Sequence, residues 1–160
     1  MIILVAPHTS WLDFIIGVAV RSVSGMHHVK FLGKAELFKP PFGWLFRKLG
    51  GTPVDRSGHH NLVDAVVKKF NDSEELVIAI APEGTRKKVD GFKTGFYHIA
   101  RLANIPVLLA ALDFANRKVI FSEPFYVTGN EIEDFERIYS FYRNIEGKYP
   151  EKSLKNVGLK

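Results

Sequence analysis

Two short polar segments in this chain each follow an apolar, strand-like run. Ile2-Ile3-Leu4-Val5-Ala6-Pro7 leads into His8-Thr9-Ser10-Trp11-Leu12-Asp13, and Leu76-Val77-Ile78-Ala79-Ile80-Ala81 leads into Pro82-Glu83-Gly84-Thr85-Arg86. In an open α/β sheet, ligands bind beyond the carboxyl ends of the strands. A histidine, carboxylates and an arginine at two such ends therefore point to one site with a base, an orienting acid and an anion clamp. His8 and Asp13 are five apart, which on a single helix would separate them by about 140°. They meet only if His8 sits in a strand-to-helix loop and Asp13 in the first helical turn. Pro7 ends the strand and Ser10 is able to cap the helix, so the geometry is available. A carboxylate bonded to one ring nitrogen fixes the tautomer and leaves the other nitrogen to accept a proton. Ser10-Trp11-Leu12-Asp13 also reads as a capping box, in which the acid serves the backbone. Both roles for Asp13 stand.

The anion clamp has two sources. Asp55-Arg56 follows a glycine turn, and Arg86 follows Glu83 and Gly84. Arginine offers a planar fork of donors to phosphate, and glycine lets backbone N–H groups approach an anion. Lys87, Lys88 and Lys93 add positive field, and a helix starting near Thr94-Gly95 would turn its N-terminus towards the crevice. A charged surface loop is the alternative for either segment. The chain has no Gly-x-Ser-x-Gly elbow, no Walker-type loop and no Gly-x-Gly-x-x-Gly after a strand. His27-His28 and His59-His60 read as surface histidines, because adjacent side chains point apart and no carboxylate spacing supports a metal.

The elements that must position these residues alternate. Strands are expected at about 2–6, 29–32, 76–81, 107–112 and, at an edge, 118–121, with a brief extended segment after Gly50-Gly51. Helices are expected near 11–22, 42–49, 62–70, 96–103 and 131–146 from apolar residues at helical spacing. Asn104 is placed to end the fourth helix, which Pro106 must not continue. Near-continuous apolar strands alternating with helices predict an α/β fold with a mostly parallel central sheet flanked by helices on both faces. No repeat or linker divides the chain, so one domain is expected over 1–150, followed by a polar tail at 151–160.

Composition agrees with a folded domain. At 160 residues with 46% hydrophobic content, one core is affordable, and a domain this size buries about 70% of its unfolded surface. The absence of cysteine excludes disulfides, thiolate metal sites and a cysteine nucleophile. The net charge of +5 favours anionic partners: phosphorylated metabolites, acidic membrane surfaces or nucleic acid. Nucleic acid is the weakest of these, since basic residues do not interleave with aromatics along any one recognition element. No apolar run approaches the ~20 residues that span a bilayer. The stretch Phe38 to Lys48 is aromatic and basic. Phe42, Leu45, Phe46 and Leu49 are expected in the core. Phe38 and Trp44 fall off that stripe; core or crevice packing is expected for them too, with a bilayer interface or an acyl groove, beside Arg47 and Lys48, as the alternative.

Taken in order, these segments resemble the lysophosphatidic acid (1-acyl-sn-glycerol-3-phosphate) acyltransferase family, within the lysophospholipid acyltransferases. His-x4-Asp matches at His8 and Asp13, a glycine-led stretch ending in arginine at Gly51 to Arg56, Pro-Glu-Gly-Thr-Arg intact at 82–86, and an apolar-Pro-apolar unit at Ile105-Pro106-Val107. The resemblance spans about residues 8–107 and implies a glycerol-3-phosphate acyltransferase-like fold. It further implies acyl transfer from a thioester on coenzyme A or acyl carrier protein to the free hydroxyl of 1-acyl-glycerol-3-phosphate, giving phosphatidic acid. His8 would be the general base and Asp13 would orient it. Arg56 and Arg86 would hold the acceptor phosphate, Glu83, Gly84 and Thr85 would shape the substrate site, and Pro106 would belong to the acyl side. No metal or other cofactor is implied, and neither is a covalent acyl-enzyme. The expected partners are a lysophospholipid, an acyl thioester, acyl carrier protein and a membrane surface, with the protein peripheral on the cytoplasmic, inner face. An amphipathic or membrane-inserting segment is implied ahead of the first motif, where seven residues precede His8. Acyl transfer to another lysolipid, such as an amino-acid lipid, and a non-catalytic anionic-lipid binder are the alternatives.

Overall fold

Strands buried on both faces have no polar side to show, which is why the central strands here are almost wholly apolar. The computed structural model describes residues 1–54 and 59–154. Its strands are β1 (Ile2–Ala6), β2 (Lys30–Lys34), β3 (Gly51–Val54), β4 (Ile78–Ile80), β5 (Val107–Asp113) and β6 (Lys118–Phe121). They form one sheet in the order β3-β2-β4-β1-β5-β6. The first five run parallel and β6 is antiparallel at the edge. The helices are α1 (Leu12–Val23), α2 (Gly43–Lys48), α3 (His59–Asn71), α4 (Gly95–Leu102) and α5 (Glu131–Tyr142). This is the α/β class with the mostly parallel sheet that the alternating pattern predicts.

Alternation along β1 divides the interior. Ile2, Leu4 and Ala6 join Val107, Leu109 and Ala111 in the main core, against Val66 and Phe70 of α3, Phe96 and Ile99 of α4, and Phe135 and Ile138 of α5. Ile3 and Ala110 point the other way, into a smaller cluster with Val29 and Val77. Phe14 ties α1 to β2 and α2, its ring centroid 5.1 Å from that of Phe31 and 6.0 Å from that of Phe46. Asn104, with φ of +49°, turns the chain out of α4 before Pro106, as its position predicts.

Two expectations are corrected. The stripe on α2 is only half covered: Phe42 is 64% exposed and Leu45 38%, while Phe46 and Leu49 are partly buried; of the off-stripe pair Phe38 is buried and Trp44 is 64% exposed. The last helix stops at Tyr142, and its continuation is a turn and a short 3-10 segment, Pro150–Lys152. Ser153 and Leu154, beyond that segment, are buried.

What positions the site is the pairing of β1 with β4. They are adjacent and parallel, with Leu4 opposite Ile80. The loops that leave them, carrying His8 and Glu83, must emerge side by side at the same edge of the sheet.

Candidate active site

The His8 loop is held from within by one acid. Asp13, in the first turn of α1, is buried, and its Oδ2 accepts the backbone N–H groups of Thr9 and Ser10, each at 2.7 Å. The same oxygen lies 3.2 Å from Nδ1 of His8. The Ser10 hydroxyl in turn accepts the N–H of Leu12 at 3.2 Å. The capping and orienting roles of Asp13 are therefore one arrangement: the acid that closes the loop on the helix also sits against the imidazole. With Nδ1 facing Asp13, Nε2 is the nitrogen left for the cleft, which His8 lines. The ring is partly exposed, at 26%.

A second acid braces the same loop from the neighbouring strand. Glu83 is 4% exposed, and its Oε1 accepts the backbone N–H of His8 at 2.8 Å. Burial raises its pKa from 4.5 to about 7, against the lowering effect of the His8 amide; the nearby Asp13 charge adds a smaller upward push. Among the described residues, Glu83 Oε2 and Asp13 Oδ1 are buried without a hydrogen-bond partner. The Tyr142 hydroxyl is held well above the ordinary tyrosine pKa, first by burial and then by the Glu83 carboxyl. Sequence reasoning assigned Glu83 to shaping the substrate site and missed its grip on the His8 backbone. The available signal was a carboxylate directly after a buried strand.

Gly84 follows with φ of +65°, the left-handed region that glycine enters without strain. The Lys93 side chain lies over it: a Cβ built on Gly84 would fall 3.1 Å from the Lys93 ammonium nitrogen. Gly84, Thr85, Arg86 and Lys93 line the same cleft as His8 and Asp13, a space of about 1640 Å³ that is otherwise mostly apolar, with Phe14, Val18 and Phe31 on its walls. Arg86 is exposed and, among the described residues, has no ion-pair partner. Such a cleft is able to take a proton at Nε2 and to hold an anion within the same volume as an apolar chain.

Arg56 lies outside the described residues. Pro106 precedes β5 at the amino-terminal end of the parallel strands, where its carbonyl accepts the N–H of Ile2 at 3.0 Å. His8 lies beyond Ala6, opposite Ala111, so the strand itself separates Pro106 from the His8 loop by roughly 15 Å. No three or more His, Asp or Glu side chains gather into a metal-like cluster among the described residues.

The sequence matches the acyltransferase family over residues 1–112. The chain belongs to that family. The match includes both loops and ends in β5, leaving β6, α5 and the segment after α5 outside it. Over 92 residues the chain is 34% identical to the 1-acyl-sn-glycerol-3-phosphate acyltransferase of Salmonella typhimurium, covering 54% of this chain and 37% of that protein. Over the same length it is 32% identical to that of Escherichia coli, with 37% of the relative covered, and 30% identical to that of Haemophilus influenzae, with 38% covered. This family member thus spans less than two-fifths of the length of these curated relatives. No solved structure matches.

Proposed function

We propose that this acyltransferase-family chain moves a fatty acyl group from a thioester to the free hydroxyl of 1-acyl-glycerol-3-phosphate. The single observation that carries this reading is the His8–Asp13 pair lining a cleft shared with Pro82, Gly84, Thr85 and Arg86. The acceptor hydroxyl gives its proton to Nε2 of His8 while its oxygen attacks the thioester carbonyl. Asp13, against Nδ1, orients the ring and stabilises the imidazolium that forms. The new C–O bond is completed as the C–S bond breaks, and the proton passes from His8 to the departing thiolate of coenzyme A or acyl carrier protein. No metal and no covalent acyl-enzyme takes part. Arg86 and Arg56 bind the acceptor phosphate, and the apolar walls receive the acyl chain.

The protein works at a membrane surface. Trp11, Phe42 and Trp44 are each at least 60% exposed, and exposed Lys39 and Lys48 lie on the α2 segment with two of them. Rings with adjacent cations suit the headgroup boundary of an anionic leaflet. No described helix is long and apolar enough to cross a membrane, which fits attachment from one side.

A matrix of acyl-CoA and acyl carrier protein donors against several lysolipids tests the reading by following thiol release. Release that requires a phosphate-headed acceptor is the expected result. Turnover only with an uncharged or amino-acid headgroup would replace the acceptor, and no release with any pair would remove the activity.

A further inference from the structure

Behind the His8 loop, on the side away from the cleft, lies a segment beyond the stretch matched to the family. Thr9 is buried, and its Oγ1 accepts the backbone N–H of Tyr149 at 3.3 Å, across 140 residues of sequence. Gly147 is packed so closely that a Cβ there would fall 2.7 Å from both Cγ2 and Oγ1 of Thr9, and 3.3 Å from Cγ of Pro7. Gly147 is fixed in its turn, its N–H donating to the buried Ser153 hydroxyl at 2.8 Å. At the start of the segment the Tyr142 hydroxyl donates to the carbonyl of Leu4, in β1, at 2.7 Å. The carbonyl of Glu146 accepts the N–H of Phe114, just past β5, at 2.8 Å.

We propose that residues 142–153 are a positioning clasp for the base, holding Thr9 and Pro7 so that His8, between them, keeps its ring against Asp13. The reasoning follows the bonds. Thr9 donates its own N–H to the Asp13 oxygen that faces the imidazole. Whatever displaces Thr9 therefore pulls on the acid that sets the ring. Glu83 holds the adjacent amide, that of His8, so the loop has one brace inside the family-matched region and one outside it. Tyr142, Gly147 and Tyr149 act through the loop and touch no substrate.

The inference rests on His8 being the base, and its test has a readout besides turnover. In full-length protein labelled with ¹⁵N-histidine, the Nδ1–H resonance of His8 is assigned by its loss in His8→Ala. A Cβ at position 147 must push Thr9 by most of an ångström to reach normal contact. Gly147→Ala is expected to displace that resonance and to lower kcat by about tenfold or more, with acceptor KM changed by less than about threefold, since misplacement of this order weakens chemistry more than binding. If Gly147→Ala does not fold, Tyr142→Phe, which loses the hydroxyl bonded to Leu4 and set beside the Glu83 carboxyl, carries the test through the same resonance. An unmoved resonance in the folded variants overturns the clasp. Absence of turnover in the parent would instead sink the acyl-transfer reading and leave the resonance result to decide the clasp.

Discussion

The strand-end loops and the α2 segment invert the usual rule of burial in opposite directions. At the loops, polar side chains are inside: Asp13 and Glu83 are at most 4% exposed, and each spends an oxygen on backbone amides. On α2, apolar rings are outside, with Phe42 and Trp44 both 64% exposed. Buried acids cost free energy unless bonded, and exposed rings contribute nothing to the core. On the proposed function the two regions would answer to different partners: the loops to a reacting hydroxyl, the rings to an apolar boundary.

Breaking the loop side should have the largest effects. Asp13→Ala removes the acceptor of two buried amides and the partner of the imidazole. With each unpaired buried amide worth about 1–3 kcal/mol, a stability loss of about 3 kcal/mol is expected, together with a fall in kcat of about 100-fold in the fraction that stays folded. Denaturant titration and thiol release check the two parts separately. Next comes Glu83. Its pKa is raised from 4.5 to about 7, so between these values the folded state holds a proton that the unfolded chain has released. The stability contribution is therefore fully present below about pH 4.5 and is lost as pH rises to about 7. From the shift, that loss is at most about 3 kcal/mol. Glu83→Gln keeps an acceptor for the His8 amide but cannot ionise. Urea titrations across this window should show the slope flattened in the variant; an unchanged slope would deny Glu83 its raised pKa.

Sharpening the comparison takes smaller changes. Arg86→Ala should raise the acceptor KM by about 10- to 100-fold and leave kcat within a few-fold, as expected for one lost charge-assisted contact. A fall in kcat at constant KM would move Arg86 from binding to chemistry. Trp44→Ser should weaken partition to anionic vesicles several-fold, read by sedimentation, while leaving stability within about 0.5 kcal/mol, since an exposed ring supports little packing. A large stability loss would return Trp44 to the core.

The sequence carried the sheet and the loop chemistry because both are local. An apolar run of strand length followed by proline and a polar stretch is legible within a dozen residues, as at Ile2 to Asp13, and so is the capping relation between Ser10 and Asp13. Relations set by the third dimension were not legible. Pro106 stands in motif order with the others, yet order does not say which end of a strand a residue occupies, and Pro106 lies at the start of β5, away from the His8 loop. Periodicity gave α2 an apolar face without saying whether anything covers it, and Phe42 and Leu45 are left to solvent. Tyr142 and Gly147 bear no mark in sequence, because their partners Leu4 and Thr9 are more than 130 residues away. The Glu83 brace lay between these cases: the residue was picked out, but its partner proved to be a backbone amide 75 positions distant.

The most direct test of the central claim is the single-turnover rate of thioester cleavage by His8→Ala, with acyl thioester and 1-acyl-glycerol-3-phosphate both saturating. A general base braced by Asp13 predicts a rate lowered by about 10²- to 10⁴-fold in a protein that melts with the parent. A rate within a few-fold of the parent would mean that the proton leaves by another route and that the imidazole lining the cleft is not the base.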